Sequence, residues 1–137
     1  MADKYILKNT RRQAAVKVWG TGSATISIQE LRYLGANSQT DAQTVTPANV
    51  QLTITDVAFT TLANGNITRD GNLILVLPAG GADQFNFSND FGVVLDEKSN
   101  ANVVVNLGAS EGVCIIQFTK GSGYNDPDLQ PLQDWQR

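Results

Sequence analysis

Asn66-Ile67-Thr68-Arg69-Asp70-Gly71-Asn72-Leu73-Ile74-Leu75-Val76-Leu77 is the stretch that decides the fold. Asp70-Gly71 is a two-residue turn signal, because both central positions of the tight hairpin turn need positive φ. The residues on either side read as extended chain. Residues 66–69 lead into the turn, and residues 73–77 beyond it are an unbroken apolar run. The unit is a β-hairpin, and residues 73–77, apolar on both faces, are expected to be a central strand, covered on both sides within the fold or on one side by a partner.

The same period-two pattern recurs outward in both directions. Ala14, Val16 and Val18 alternate with Ala15, Lys17 and Trp19, and Ala24, Ile26 and Ile28 with Thr25, Ser27 and Gln29. Val50, Leu52 and Ile54 alternate with Gln51, Thr53 and Thr55, and Val103, Val105 and Leu107 with Asn102, Val104 and Asn106. Each predicts a strand with one face on a core and one in water. Val113-Cys114-Ile115-Ile116 reads as a second central strand. Between Ile54 and Val57 the apolar phase moves from even to odd positions, which requires an extra residue and predicts a bulge near Thr55-Asp56. Gly20-Thr21-Gly22 and Ala109-Ser110-Glu111-Gly112 are expected to close two more hairpins, and Leu31-Arg32-Tyr33-Leu34 to form a single helical turn. About eight short strands with such turns indicate an all-β, antiparallel β-sandwich or jelly roll.

Two segments fall outside the pattern. Residues 35–48 are a long polar loop. Residues 125–137 carry Pro127 and Pro131, which prevent a strand ladder, and form an extended C-terminal arm beside a 1–124 domain that includes an N-terminal strand or arm at 1–10. Leu129, Leu132 and Trp135 recur every three residues and share one side of a polyproline-like strand. Two placements fit: the arm packs on its own domain, or it lies across a neighbouring chain as a partner contact. Trp19 likewise either caps the core edge or contacts a partner.

Composition narrows the chemistry. In 137 residues there are 13 acidic and 10 basic side chains, a net charge of −3, and no His. His-based triads and most zinc or iron sites are thereby excluded. The single Cys114 excludes an internal disulfide. No cofactor or metal site is expected, since Asn125, Asp126 and Asp128 fall short of the six to eight oxygens calcium takes. Gly20-Thr21-Gly22 precedes a strand where a phosphate loop needs a helix. The acidic balance argues against nucleic acid, and no apolar run approaches the roughly 20 residues of a membrane span. The one basic cluster, Arg11 and Arg12 with Lys8 and Lys17 nearby, reads as a solvated face or a protein contact. No nucleophile, base and orienting group assemble, so the expectation is that the chain is not an enzyme and has no catalytic residues.

Several stretches resemble the small all-β virion structural proteins of tailed bacteriophages. They are Lys4-Tyr5-Ile6-Leu7-Lys8-Asn9-Thr10 leading into Ala15-Val16-Lys17-Val18-Trp19-Gly20, residues 66–72, Gln84-Phe85-Asn86-Phe87 with Phe91-Gly92, and Phe118-Thr119-Lys120-Gly121-Ser122-Gly123-Tyr124. The resemblance implies a non-enzymatic part made in the host cytoplasm and assembled into the virion. A capsid decoration, or cement, protein clamping major capsid protein is the form it favours, as a homo-oligomer with a trimer preferred. A neck or tail component, or a carbohydrate-binding receptor-recognition module of a tail using Trp19 or Tyr33, is the alternative. An enzyme limited to carboxylates, Lys or Tyr is the least favoured class.

Overall fold

The computed structural model describes residues 2–33, 43–45, 50–86, 101–121 and 123–125. The chain is an all-β, antiparallel sandwich of jelly-roll type, and these residues contain eleven strands. They are β1 (Asp3–Asn9), β2 (Gln13–Gly20), β3 (Ser23–Ile26), β4 (Thr44–Val45), β5 (Leu52–Thr61), β6 (Gly65–Arg69), β7 (Asn72–Leu77), β8 (Gly81–Asn86), β9 (Val103–Asn106), β10 (Gly112–Lys120) and β11 (Tyr124–Asn125). One sheet has the order β1-β2-β10-β5-β8, a second β3-β9-β6-β7, and β4 pairs with β11.

Sequence periodicity explains which face of each strand turns inward. Cys114, Ile116 and Phe118 of β10, Val16 and Val18 of β2, and Leu52, Ile54 and Val57 of β5 are all buried. They meet Ile26, Ile67, Leu77, Val103 and Val105 from the four-stranded sheet in one core. At about 25 cal/mol per Å² of apolar surface removed from water, this contact is the main force holding the sheets together. The phase shift in β5 is the expected bulge: Gln117 pairs with Asp56 and Phe118 with Ile54, leaving Thr55 as the extra residue. That residue restores the inward phase, so both halves of β5 feed the same core. Asp70 (φ 53°) and Gly71 (φ 77°) form the expected turn between β6 and β7.

Four expectations are corrected. Gly20-Thr21-Gly22 and residues 109–112 do not close hairpins. Each carries the chain from one sheet to the other, because β2 and β10 lie in the five-stranded sheet and β3 and β9 in the four-stranded one. The two corners run together, with Gly22 donating to Gly108 O and Leu107 donating to Gly22 O, both at 2.8 Å. At Gly108 (φ 85°) a Cβ would stand 2.4 Å from Asn64 O, so only glycine fits. The third correction concerns residues 73–77: β10 is central, but among the described residues β7 is an edge strand, with Leu73 and Val76 exposed. Fourth, the turn near residue 31 comes earlier, over 28–31, and its seat is a reciprocal pair, Ser27 N to Glu30 Oε1 at 2.6 Å and Glu30 N to Ser27 Oγ at 3.1 Å. Within the polar stretch 35–48, Gln43 is buried and Thr44–Val45 forms β4. The strand boundary at the C-terminal end includes Asn125, and the rest of the arm lies outside the described residues.

Candidate functional site

Because the even-numbered side chains of β10 point inward, Val113, Ile115 and Gln117 point away from the core. Cross-strand register extends them into three rows over the outer face of the five-stranded sheet. The first is Asp3, Trp19, Val113, Thr60 and Ala82. The second is Tyr5, Lys17, Ile115, Ala58 and Gln84. The third is Lys8, Ala15, Gln117, Asp56 and Asn86. An antiparallel sheet facing water is expected to carry polar side chains there. The third row does, and Asp56 accepts from Gln84 Nε2 at 3.4 Å and from Asn86 Nδ2 at 3.5 Å. The first two rows are mixed: Asp3, Thr60, Lys17 and Gln84 stand among apolar side chains, of which Tyr5 is 62% exposed and Val113 37%.

Trp19 therefore lies on the outer face, half-buried and paired across the strands with Val113. The Lys17 ammonium sits 5.5 Å from its ring centroid, an arrangement that holds the indole in place against the sheet. Lys17, Trp19, Thr60, Leu62, Glu111 and Val113 line an open recess of about 340 Å³. Leu62 at its rim is 65% exposed. A second depression of about 320 Å³ continues across Ala58, Thr60, Gln84, Val113 and Ile115. Single exposed apolar residues are ordinary on protein surfaces, whereas a contiguous patch spread over several strands marks a contact surface.

At the other extreme, charge is inside. Lys120 continues the inward phase of Cys114, Ile116 and Phe118 and is only 4% exposed. Its ammonium donates to Asn9 Oδ1 at 2.6 Å, Thr10 O at 2.7 Å and Gln43 Oε1 at 3.2 Å, and lies 5.2 Å from the Tyr124 ring centroid. Gln43 also accepts from Tyr33 N and donates to Arg11 O, both at 2.9 Å. Arg69 is fully buried, with Nε donating to Ala101 O at 2.8 Å and Nη1 to Leu52 O at 2.6 Å. Tyr124 donates to Ile28 O at 2.7 Å, and burial pushes its phenol pKa up, with the Arg69 charge opposing. These groups fasten the β1–β2 turn, Gln43 and the end of β10 to one another. Burial also pushes the Cys114 thiol up to about 12, which keeps it protonated and inert.

The structure disperses the basic cluster. Arg11 lies over the Tyr33 ring at 4.9 Å, Arg12 is exposed beside the β1–β2 turn, Lys8 donates to Gln13 Oε1 at 2.9 Å, and Lys17 covers Trp19. Of the expected contact residues, Trp19 lies on the apolar face, and Leu129, Leu132 and Trp135 lie outside the described residues. Sequence reading missed Lys120, Arg69 and Gln43. The first two occupy inward positions of their strands, which was a usable signal; Gln43 carried none. Among the described residues no three side chains of the Cys, Asp and Glu types gather as metal ligands, and no helix is long and apolar enough to cross a membrane.

No family model and no curated protein sequence matches the chain. Among solved structures it is similar to KdgF from Halomonas sp., at 12% identity over 88% of this chain and 79% of that one, with a TM-score of 0.38. It is similar to an RmlC-like cupin from Shewanella frigidimarina at 16% identity, 88% and 78% coverage, and a TM-score of 0.34. It is also similar to the DMSP lyase DddQ from Ruegeria pomeroyi at 9% identity, where it covers 88% of this chain but 47% of that one, with a TM-score of 0.37. These findings overturn the expectation of a non-enzymatic phage decoration, neck or tail protein. The similar structures include a cupin and a lyase, and none of the three is a virion part. The expectation that the chain is not an enzyme is withdrawn with it. Likeness at this level concerns β architecture and assigns no reaction, ligand or residue role to this chain.

Proposed function

We propose that this chain is a protein-recognition module that works through the outer face of its five-stranded sheet. The observation that carries the reading is the gathering of Tyr5, Trp19, Val113, Ile115 and Leu62 on one sheet face, interspersed with Lys17 and Thr60, where a wet face would hold mainly polar groups. Leaving such a face in water forgoes about 25 cal/mol for every Å² that a partner could cover. The sheet beneath is held from behind by the core, so docking requires little ordering of the backbone. Trp19, flattened by Lys17, is the type of large, stiff side chain that anchors protein interfaces.

The test is a photo-cross-linking residue, p-benzoyl-phenylalanine, placed at Thr60 in the full chain and irradiated in the cells that make it. Protein adducts are expected from that position and not from Asn72, which is exposed on the four-stranded sheet. Equal yields from the two positions, or no adduct from Thr60, would sink the reading.

A further inference from the structure

We propose that Asn64 is a site of self-modification, where the main chain attacks the side-chain amide and converts asparagine to aspartyl and isoaspartyl residues. Asn64-Gly65 is the single asparagine–glycine pair in the chain. The first step is a cyclisation. Gly65 N bonds to Asn64 Cγ, the Cγ–Nδ2 bond breaks, and Nδ2 leaves as ammonia with the proton that Gly65 N gives up. Water then opens the five-membered imide. Attack at Cγ restores the main chain with an aspartate, and attack at the main-chain carbonyl carbon leaves an isoaspartate.

Packing imposes the glycine. A Cβ at the buried Gly65 would stand 2.1 Å from Asn106 O, so the corner admits only the residue that leaves its own nitrogen unshielded by a side chain. Asn64 itself is exposed between β5 and β6, so ammonia escapes to solvent and water reaches the imide. Gly65 pairs with Leu77 at the end rung of the β6–β7 ladder, and opening of that rung alone frees the nitrogen. The decisive contact is Ala79 N, which donates to Asn64 Oδ1 at 3.0 Å. Negative charge develops on Oδ1 when a nucleophile adds to Cγ. The Ala79 N–H therefore stands where an oxyanion donor stands in acyl transfer, and it holds the amide in one orientation meanwhile.

The two products differ in what they do to the fold. Asn64 sits where two other corners meet: its main-chain oxygen abuts Gly108, and its side chain holds the turn between β7 and β8. Aspartate keeps the main chain and an acceptor for Ala79 N, and adds one negative charge. Isoaspartate inserts an extra carbon into the main chain between the Gly108 contact and the start of β6, where there is no room for it. The corner must then shift, so the isoaspartyl form is the less stable of the two.

Peptide mapping by mass spectrometry tests this on the full chain incubated at pH 8, folded and in urea, with an isoaspartyl methyltransferase to count the isoaspartate. Conversion is expected at Asn64 ahead of every other asparagine, and at least as fast in the folded chain as in the unfolded one. Ala79→Pro then removes the donor alone. Ala79 is the second residue of a turn closed by Gly81 N to Pro78 O at 3.2 Å with Gly80 at φ 68°, the type II pattern that favours proline there. That variant is expected to convert about tenfold more slowly or less. The isoaspartyl form, separated from aged protein, is expected to melt several degrees below Asn64→Asp. The proposal is overturned by slower conversion in the folded chain than in urea, which needs no variant to measure. It is equally overturned by another asparagine converting first, by an unchanged or faster rate in a folded Ala79→Pro, or by equal melting of the two products.

Discussion

Two regions of this molecule invert the usual arrangement, in opposite senses. At the end of β10 the cation Lys120 is inside, among Asn9, Thr10 and Gln43. On the outer face of the same strand, Val113 and Ile115 turn away from the core beside Trp19. Strand β10 serves both, with even positions leading to the buried ammonium and odd positions to the exposed patch. The contrast separates two kinds of work. A buried, hydrogen-bonded charge is expensive to disturb, because removing one partner strands the others away from water. An exposed apolar group costs the monomer little when removed and gives its return only when something covers it.

That contrast can be broken, beginning with the inside. Arg69→Leu leaves Ala101 O and Leu52 O without this donor in the interior, and a stability loss of about 3–5 kcal/mol is expected by urea denaturation. Lys120→Met removes the donor to three acceptors while keeping the stem's volume, and about 2–4 kcal/mol is expected. A loss below about 1 kcal/mol in either variant would mean that this polar end is ornamental to the fold.

Core burial has its own signature in pH. The Cys114 thiol titrates at an ordinary 9.0 in the unfolded chain and at about 12 in the folded one. Below pH 9 it is neutral in both states and its contribution is fully present. Between pH 9 and 12 only the unfolded chain ionises, so stability falls as pH rises, by about 1.4 kcal/mol per unit. Burial of the Tyr124 phenol acts in the same direction. The wild type minus Cys114→Ala, compared by denaturation at pH 8 to 11, isolates the thiol; a flat difference refutes the burial.

Smaller effects sharpen the other side. Ser27→Ala removes one half of the reciprocal pair with Glu30, and about 1 kcal/mol is expected from thermal melting. Val113→Thr, on the outer face, should change the stability of the chain by less than about 0.5 kcal/mol while lowering the adduct yield from the Thr60 cross-linker. If it destabilises the chain as strongly as Lys120→Met, the two regions do not differ in kind.

Local sequence carried the information wherever the deciding physics was local. The Asp70-Gly71 turn follows from the φ values its residues allow, and the Thr55 bulge follows from a two-residue period that could not otherwise close. The corners at residues 20–22 and 109–112 were misread because a turn signal states that the chain reverses and not which sheet receives it. The apolar run of β7 suggested burial on both faces, yet its neighbour on one side is β6 and the other edge has no paired strand among the described residues. Alternation alone puts Trp19 on the strand face opposite Val16 and Val18. The full patch was not legible in this way, because Tyr5, Trp19 and Val113 are brought together by pairing between strands far apart in the chain. Gln43 was beyond reach, since a glutamine in a polar stretch shows no sign that its amide will be enclosed.

The position of β10 has a consequence for how the chain comes together. It sits between β2 and β5, and it emerges from the ribosome after every other described strand but the short β11. Until then the β1–β2 pair and the β5–β8 pair are separate fragments with open edges, and neither can zip onto the other. The last long strand among the described residues is the one that welds them, over a sequence separation of nearly the whole domain. Acquisition of structure in the five-stranded sheet is therefore expected to be late and slow, and a ribosome stalled short of residue 112 would hold a chain in which that sheet is unfinished.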